Sequence, residues 1–306
     1  MGISSQILPR DRRTYEAPPR RSAAWLAAAL LAMTWPGSAP PRVRADQLDQ
    51  GGEPAPRLAS RNTATGATPT PKPNVDHPTA RAKQALAECK ARYAAVRDYT
   101  CTFRKRERID GRLMPAHVMD MKARAAPPGI YVKFRTPNKG REAIYVAGRN
   151  GGKVVAHDVG IGKFLAGTMN LDPRGSMAME DCRHPITEAG IGALIETVAG
   201  HWNVELTPEE SRVDFRPDSR VGGQNCTMIE TVHPSRQPNF LFHKVRVYIA
   251  QEHGLPIRYE AFDWPARPGV APELVEEYSY LDLRLNVGLG DRDFDPDNRS
   301  YSFGRF

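Results

Sequence analysis

From Thr79 to Arg97 the apolar positions fall three and four residues apart, at Ala82, Leu86, Cys89, Tyr93 and Val96, with Arg, Lys and Glu between them. That spacing predicts an amphipathic helix with one face to cover. After Asp98 the period drops to two: Tyr99, Cys101 and Phe103 alternate with Thr100, Thr102 and Arg104. Asp110 and Gly111 then supply a hairpin signal, and Met119, Met121 and Ala123 carry the same rhythm on the return. Ile130, Val132 and Phe134 repeat it, as do Ile144 and Val146 before a turn at Asn150 and Gly151 and a further strand at Val154 and Val155. These are short antiparallel strands in succession.

Between His157 and Asp181 no steady period holds. From Gly190 to Trp202 helical spacing returns through Ile191, Leu194, Ile195 and Val198, and Pro185, Thr187 and Glu188 suit a helix entry. Strands are then expected from Val204 to Leu206, Val213 to Phe215, Cys226 to Val232, Val245 to Ile249, Ile257 to Phe262 and Val275 to Val287. One helix, a strand meander, an irregular insertion with a second helix, and another meander make an α+β domain on a large antiparallel sheet.

Composition divides the 306 residues into three parts, with domain boundaries at 1–45, 46–77 and 78–306. Arg10, Arg12, Arg13, Arg20 and Arg21 precede an apolar run from Ala23 to Trp35, the plan of a secretory signal peptide, with small residues at Val43 to Ala45 for cleavage before Asp46. The run is shorter than the roughly 20 residues of a bilayer span, so no stable transmembrane span is expected. Export to the periplasm or cell envelope is. Residues 46–77 are rich in Pro, Thr, Gly and Ala, a composition that buries too little surface to order itself and reads as a linker. The leader holds seven arginines against Asp11 and Glu16, so only +3 of the formal +8 belongs to residues 46–306. That balance gives no footprint for nucleic acid. The run from Arg104 to Arg108 ("RKRER") reads as a solvated strand face.

The segment Met179 to Ile191 ("MEDCRHPITEAGI") gathers Asp181, Cys182, His184 and Glu188. Zinc sites show paired ligands at short spacing, and Cys-x-His alone does not, so no metal is expected. The glycines of "HDVGIGKF" lack the hydroxyl residue that a phosphate loop needs, and Asp291, Asp293, Asp295 and Asp297 lack the glycine and closing glutamate of a calcium loop, which leaves a solvated C-terminal turn and no cofactor. No catalytic residue is assigned. A thiol nucleophile, Cys182 with His184 or His157 as base, is the competing chemical reading and would make an exported hydrolase. Cys89, Cys101, Cys182 and Cys226 form an even set in an exported chain, so two disulfides are allowed, with the pairing open.

The aperiodic segment is unusual for its apolar side chains: Phe164, Leu165, Met169, Leu171, Met177 and Met179. Methionine suits surfaces that adapt to varied apolar partners. With Ile191 and Leu194 of the following helix, these residues are the candidate lining of a hydrophobic cleft. The alternative is that they complete an ordinary core.

The stretches Lys244 to Pro265 ("KVRVYIAQEHGLPIRYEAFDWP") and Glu276 to Phe303, with "DYTCTFRKRERIDGRL" from Asp98 and "KFRTPNKGREAIYVAGRNGGKVVAHDVG" from Lys133, resemble an uncharacterised exported family of domains of unknown function, number 1571, with a fold like the lipoprotein carriers LolA and LolB. The resemblance covers about residues 80–303. It implies an unclosed antiparallel half-barrel, its concave face covered by an N-terminal and a mid-chain helix, with room for a lipid-like ligand or a lipoprotein acyl chain. It carries no catalytic residues. It implies a non-enzymatic binding protein, and an envelope protein-interaction module with a filled interior is the further alternative.

Overall fold

The structure, a computed structural model, describes residues 77–159 and 167–304. The expected signal peptide, the linker as far as residue 76, and Phe164 and Leu165 lie outside the described residues. Helix α1 spans Pro78–Tyr93, with Pro78 in its first turn and the His77 Nδ1 accepting from the Thr79 amide at 3.3 Å. Its buried apolar positions, Ala82, Leu86 and Cys89, are among those that the spacing selects, and Thr79 is buried beside them.

The first meander follows as β1 (Asp98–Ile109), β2 (Arg112–Leu113), β3 (His117–Arg124), β4 (Gly129–Thr136), β5 (Glu142–Val146), β6 (Val154–His157) and β7 (Thr168–Leu171). Asp110 and Gly111 turn with φ of 47° and 77°, the left-handed backbone that a tight hairpin needs. After α2 (Ile191–Glu205) come β8 (Arg212–Val221), β9 (Gln224–Val232), β10 (Lys244–Ala250), β11 (Pro256–Phe262) and β12 (Leu274–Leu285). The strand order is β7-β6-β5-β4-β3-β1-β12-β11-β10-β9-β8, with β2 beside β1, and every pairing is antiparallel. β12 lies against β1, so the two meanders join at the centre and leave β7 and β8 as open edges. The expected α+β class with a large unclosed antiparallel sheet is what the chain adopts.

Two details correct the sequence reading. Val204 to Leu206 is not a strand, because the apolar period from Val198 through Trp202 runs on and α2 continues to Glu205, with the Leu206 amide still bonded to the Trp202 carbonyl at 3.1 Å. Thr187 does not cap α2 either. Ile186–Glu188 is a separate 3-10 turn, and α2 starts behind Gly190, whose φ of 106° suits glycine. Its first amide, that of Ile191, donates to the buried Tyr99 hydroxyl at 2.9 Å. A tyrosine from β1 thus does the capping that the local sequence lacks.

Both helices pack on one face of the sheet, where α1, α2 and the inward residues of β1, β3, β4 and β11 make the main core. The helices meet at Gly192, where a Cβ would lie 2.5 Å from the Tyr93 ring. The opposite face of β4 and β5 has its own core of Tyr131, Ile144, Val146, Phe294, Tyr301 and Phe303, supplied by the C-terminal segment. There the expected solvated turn leaves Asp291, Asp295 and Asp297 exposed and is also ion-paired to the sheet, Asp293 with Lys122 at 2.7 Å and Asp291 with Arg124 at 2.7 Å. Among the described residues no helix is long and apolar enough to cross a membrane.

Candidate functional site

Strand register writes a polarity gradient across the helix-covered face. Cys101, Met121, Val132, Ala143, Ala156 and Met169 lie opposite one another in sequence across β1, β3, β4, β5, β6 and β7. Two residues along, the row is Tyr280, Phe103, Met119 and Phe134. The next is Tyr259, Tyr278, Lys105 and His117, and the last is Glu276 beside Glu107. One end of the face is apolar and the other charged, because every inward side chain keeps the period-two parity of its strand.

Between this face, the segment from 168 to 190 and the start of α2 lies a cavity of about 230 Å³. Met169 on β7 and Tyr259 on β11 both border it, although seven strand steps separate them. A flat sheet would hold those strands about 34 Å apart, so the sheet curls into an open half-barrel. Of the expected lining, Met169, Leu171, Met177 and Leu194 border the cavity. Ile191 is fully buried in the core, and Met179 is half-buried and does not border the cavity, its amide bonded to the Gly175 carbonyl at 3.0 Å.

The charged end is closed by Asp181 to Glu188, strapped onto β1 and β12. The Lys105 ammonium donates to Glu107 Oε2 at 2.9 Å, the Asp181 carbonyl at 3.2 Å and Cys182 Sγ at 3.0 Å, which takes up all three of its N–H groups. Burial works against that charge, yet Glu107 and Cys182 hold its pKa above the ordinary value. Glu107 also accepts from the Arg183 amide at 3.1 Å and the Tyr278 hydroxyl at 2.7 Å. Glu276 accepts from Arg183 Nε at 2.9 Å and His184 Nε2 at 3.0 Å, while His184 Nδ1 meets Glu188 at 3.3 Å. Burial disfavours the imidazolium, but Glu188 and Glu276 outweigh it and push the His184 pKa up to about 10. With both nitrogens protonated and donating, His184 cannot serve as a base for Cys182.

All four cysteines are free thiols: Cys89, Cys101 and Cys226 are buried in apolar surroundings, and only Cys182 of the four borders the cavity. His157 also borders it, its ring edge-on to Phe303 at 6.5 Å. Among the described residues no three His, Cys, Asp or Glu side chains are placed to hold a metal ion. His117 stands beside the strap at 5% exposure, edge-on to Phe134, and its Nδ1 has no partner among the described residues. Burial and the neighbouring Lys105 push its pKa down, so it is a neutral imidazole.

Sequence reasoning placed "RKRER" on a solvated face, and two of its five residues are not there. Lys105 and Glu107 point inward with side chains 11% and 3% exposed. The signal was present: both share the parity of Cys101 and Phe103, which the alternation had already turned inward. Glu276, Tyr278 and His117 were missed for lack of any local signature, since only strand pairing brings them together.

Residues 96–303 match the model of a family described as "Protein of unknown function (DUF1571)". No curated protein sequence is a significant match. Solved structures similar to the chain include Mycobacterium tuberculosis lipoprotein LppX (13% identity, 70% of this chain and 97% of that one, TM-score 0.38) and a LolA superfamily protein from Nitrosomonas europaea (11%, 70% and 97%, 0.28). The Pseudomonas aeruginosa MucA/MucB complex is a third (12%, 70% and 60%, 0.39).

Proposed function

The chain belongs to the DUF1571 family, and we propose that it is an exported, non-enzymatic binding protein that holds an apolar chain between its curled sheet and the strap. One observation carries the reading: a cavity of about 230 Å³ whose body is lined by Met, Phe, Val, Ala and Leu side chains. A dry cavity of about 150 Å³ accommodates benzene, so this one takes about nine non-hydrogen atoms, the bulk of one medium alkyl chain. A free lipid or one acyl chain of a lipoprotein both offer that. At about 0.8 kcal/mol per buried methylene the gross gain is roughly 7 kcal/mol, and an association cost of about 4 kcal/mol leaves affinity at about millimolar. The flexible Met169 and Met177 suit varied chains.

The hydrolase reading loses its nearer base, because His184 is locked between two carboxylates. The interaction-module reading required a filled interior, and the cavity speaks against it. The test is a homologous series of n-alkan-1-ols by calorimetry, with native mass spectrometry of the freshly purified protein. Affinity is expected to rise about fourfold per methylene and level off near eight carbons. A flat series, together with a protein that carries no apolar molecule, overturns the proposal.

A further inference from the structure

The polar end of the cavity has its charges committed before any ligand arrives. Lys105 has no N–H left to offer, since Glu107, the Asp181 carbonyl and Cys182 take all three. Glu107 receives Lys105, the Tyr278 hydroxyl and the Arg183 amide, and Glu276 receives Arg183 and His184. Arg141, further along the wall, is fixed on Asp158 through Nε at 3.0 Å and Nη2 at 3.1 Å. An anionic head group placed here meets Glu107 and Glu276 and finds no uncommitted cation among these groups. A cationic one meets Lys105 and the His184 imidazolium, must compete for Glu107 and Glu276, which are already bound, and finds only the half-buried Asp181 carboxylate outside these pairs. An anion is desolvated without a partner and a cation against two like charges, which is costly.

Among the described residues, two buried ring nitrogens of the cavity wall stand outside this network, Nδ1 of His157 on β6 and Nδ1 of His117, and His117 is the one beside Lys105 and the strap. His117 borders the cavity with 5% of its surface exposed, and its Nδ1 is buried without a hydrogen-bond partner among the described residues. Leaving such an atom unsatisfied is costly, so an orphan on a cavity wall marks a place where something else completes the bond. A hydroxyl does so whichever ring nitrogen carries the proton, because it both donates and accepts. The volume admits one chain only.

Resting on the reading of the cleft as a site for an apolar chain, we propose that it selects an uncharged amphiphile, a single medium-length alkyl chain ending in a hydroxyl, and that His117 Nδ1 meets that oxygen. The ligand is a fatty-alcohol or other neutral hydroxylated lipid, not a fatty acid, an amine or an anionic phospholipid.

Four ligands of matched size separate the outcomes in calorimetry at pH 7.5: octan-1-ol, octanoate, octylammonium and 1-chlorooctane. Octan-1-ol is expected to bind at least ~10-fold tighter than either ion and about 5-fold tighter than 1-chlorooctane. His117→Phe is expected to erase the second preference while 1-chlorooctane binding is kept. In the wild type, the His117 Nδ1 nitrogen resonance should shift with octan-1-ol and stay put with 1-chlorooctane, a readout that stands even if the variant does not fold. Octanoate or octylammonium binding as tightly as the alcohol, or an unmoved His117 resonance, overturns the inference while the apolar-chain reading survives. If none of the four binds, that underlying reading falls and this one with it.

Discussion

The ammonium of Lys105 lies 3.0 Å from the sulfur of Cys182, so the one cavity-facing thiol is held by a cation of the sheet and not by another cysteine or a histidine. Cys182 is also partly exposed, whereas burial pushes the Cys89 thiol up to about 12 and raises those of Cys101 and Cys226. N-ethylmaleimide on the native protein is therefore expected to modify Cys182 first, with peptide mass mapping as the check. Octan-1-ol should slow that modification several-fold. Equal labelling of all four cysteines would contradict this placement.

Ala156 faces Ala143 and Met169 across β6 and borders the cavity. Ala156→Phe places a ring in existing empty space, which avoids most of the roughly 1–3 kcal/mol strain of overpacking a filled core. Alkyl-chain affinity is expected to fall at least ~10-fold, because about half of the nine-atom volume is lost. Urea unfolding should meanwhile show a stability within about 1 kcal/mol of wild type. A variant that binds as before would place the ligand elsewhere.

The strap is pH-dependent with a definite sign. His184, raised to about 10, contributes its full stabilisation below its unfolded pKa of roughly 6.5 and loses it as pH rises through about 10. Glu276, held below its ordinary value by His184 and Arg183 against the opposing effect of burial, contributes above that ordinary value and loses its share as pH falls through the lowered one. The wild type is expected to exceed His184→Phe in melting temperature most at about pH 6, and the gap should close towards pH 10. Hydrogen exchange of residues 181–188, corrected for intrinsic rates, should rise over the same window.

Tyr99→Phe removes the side-chain hydroxyl that meets the first amide of α2, at Ile191, inside the core. A loss of about 1–3 kcal/mol in unfolding free energy is expected from the stranded N–H, measured by urea titration. Gly190→Ala should be comparably harmful, because the backbone there is left-handed and the new Cβ would sit 2.9 Å from the Tyr99 hydroxyl.

The elements were written locally and the site was not. The three-to-four spacing in α1 and the two-residue alternation in β1, β3 and β4 rest on nearest-neighbour geometry, so the sequence exposes them directly. Met169, Leu171, Met177 and Leu194 could be picked out because apolar residues without a period must cover something. Lys105 was hidden in plain view by its arginine neighbours, whose charge outweighed the parity argument that turns it inward. Glu276 and His117 lie 159 positions apart in the chain and become neighbours of one strap only when β12 docks on β1 and β3 on its other side. No local pattern encodes that. Likewise Tyr99 caps a helix 92 residues further on, where a search near Thr187 finds nothing.

A closed barrel ties its bore to strand number and stagger, so a change of width demands a change of register. Here β7 and β8 never meet, and the bore is fixed by the elements resting in the gap. The contact at Gly192 against Tyr93 sets how closely two helices approach, and the strap sets how far the roof comes down. Width can therefore be retuned by side-chain size at a few roof positions while every strand keeps its partner. A lineage built on this plan can change the width of its cavity by small steps, with each intermediate still folded.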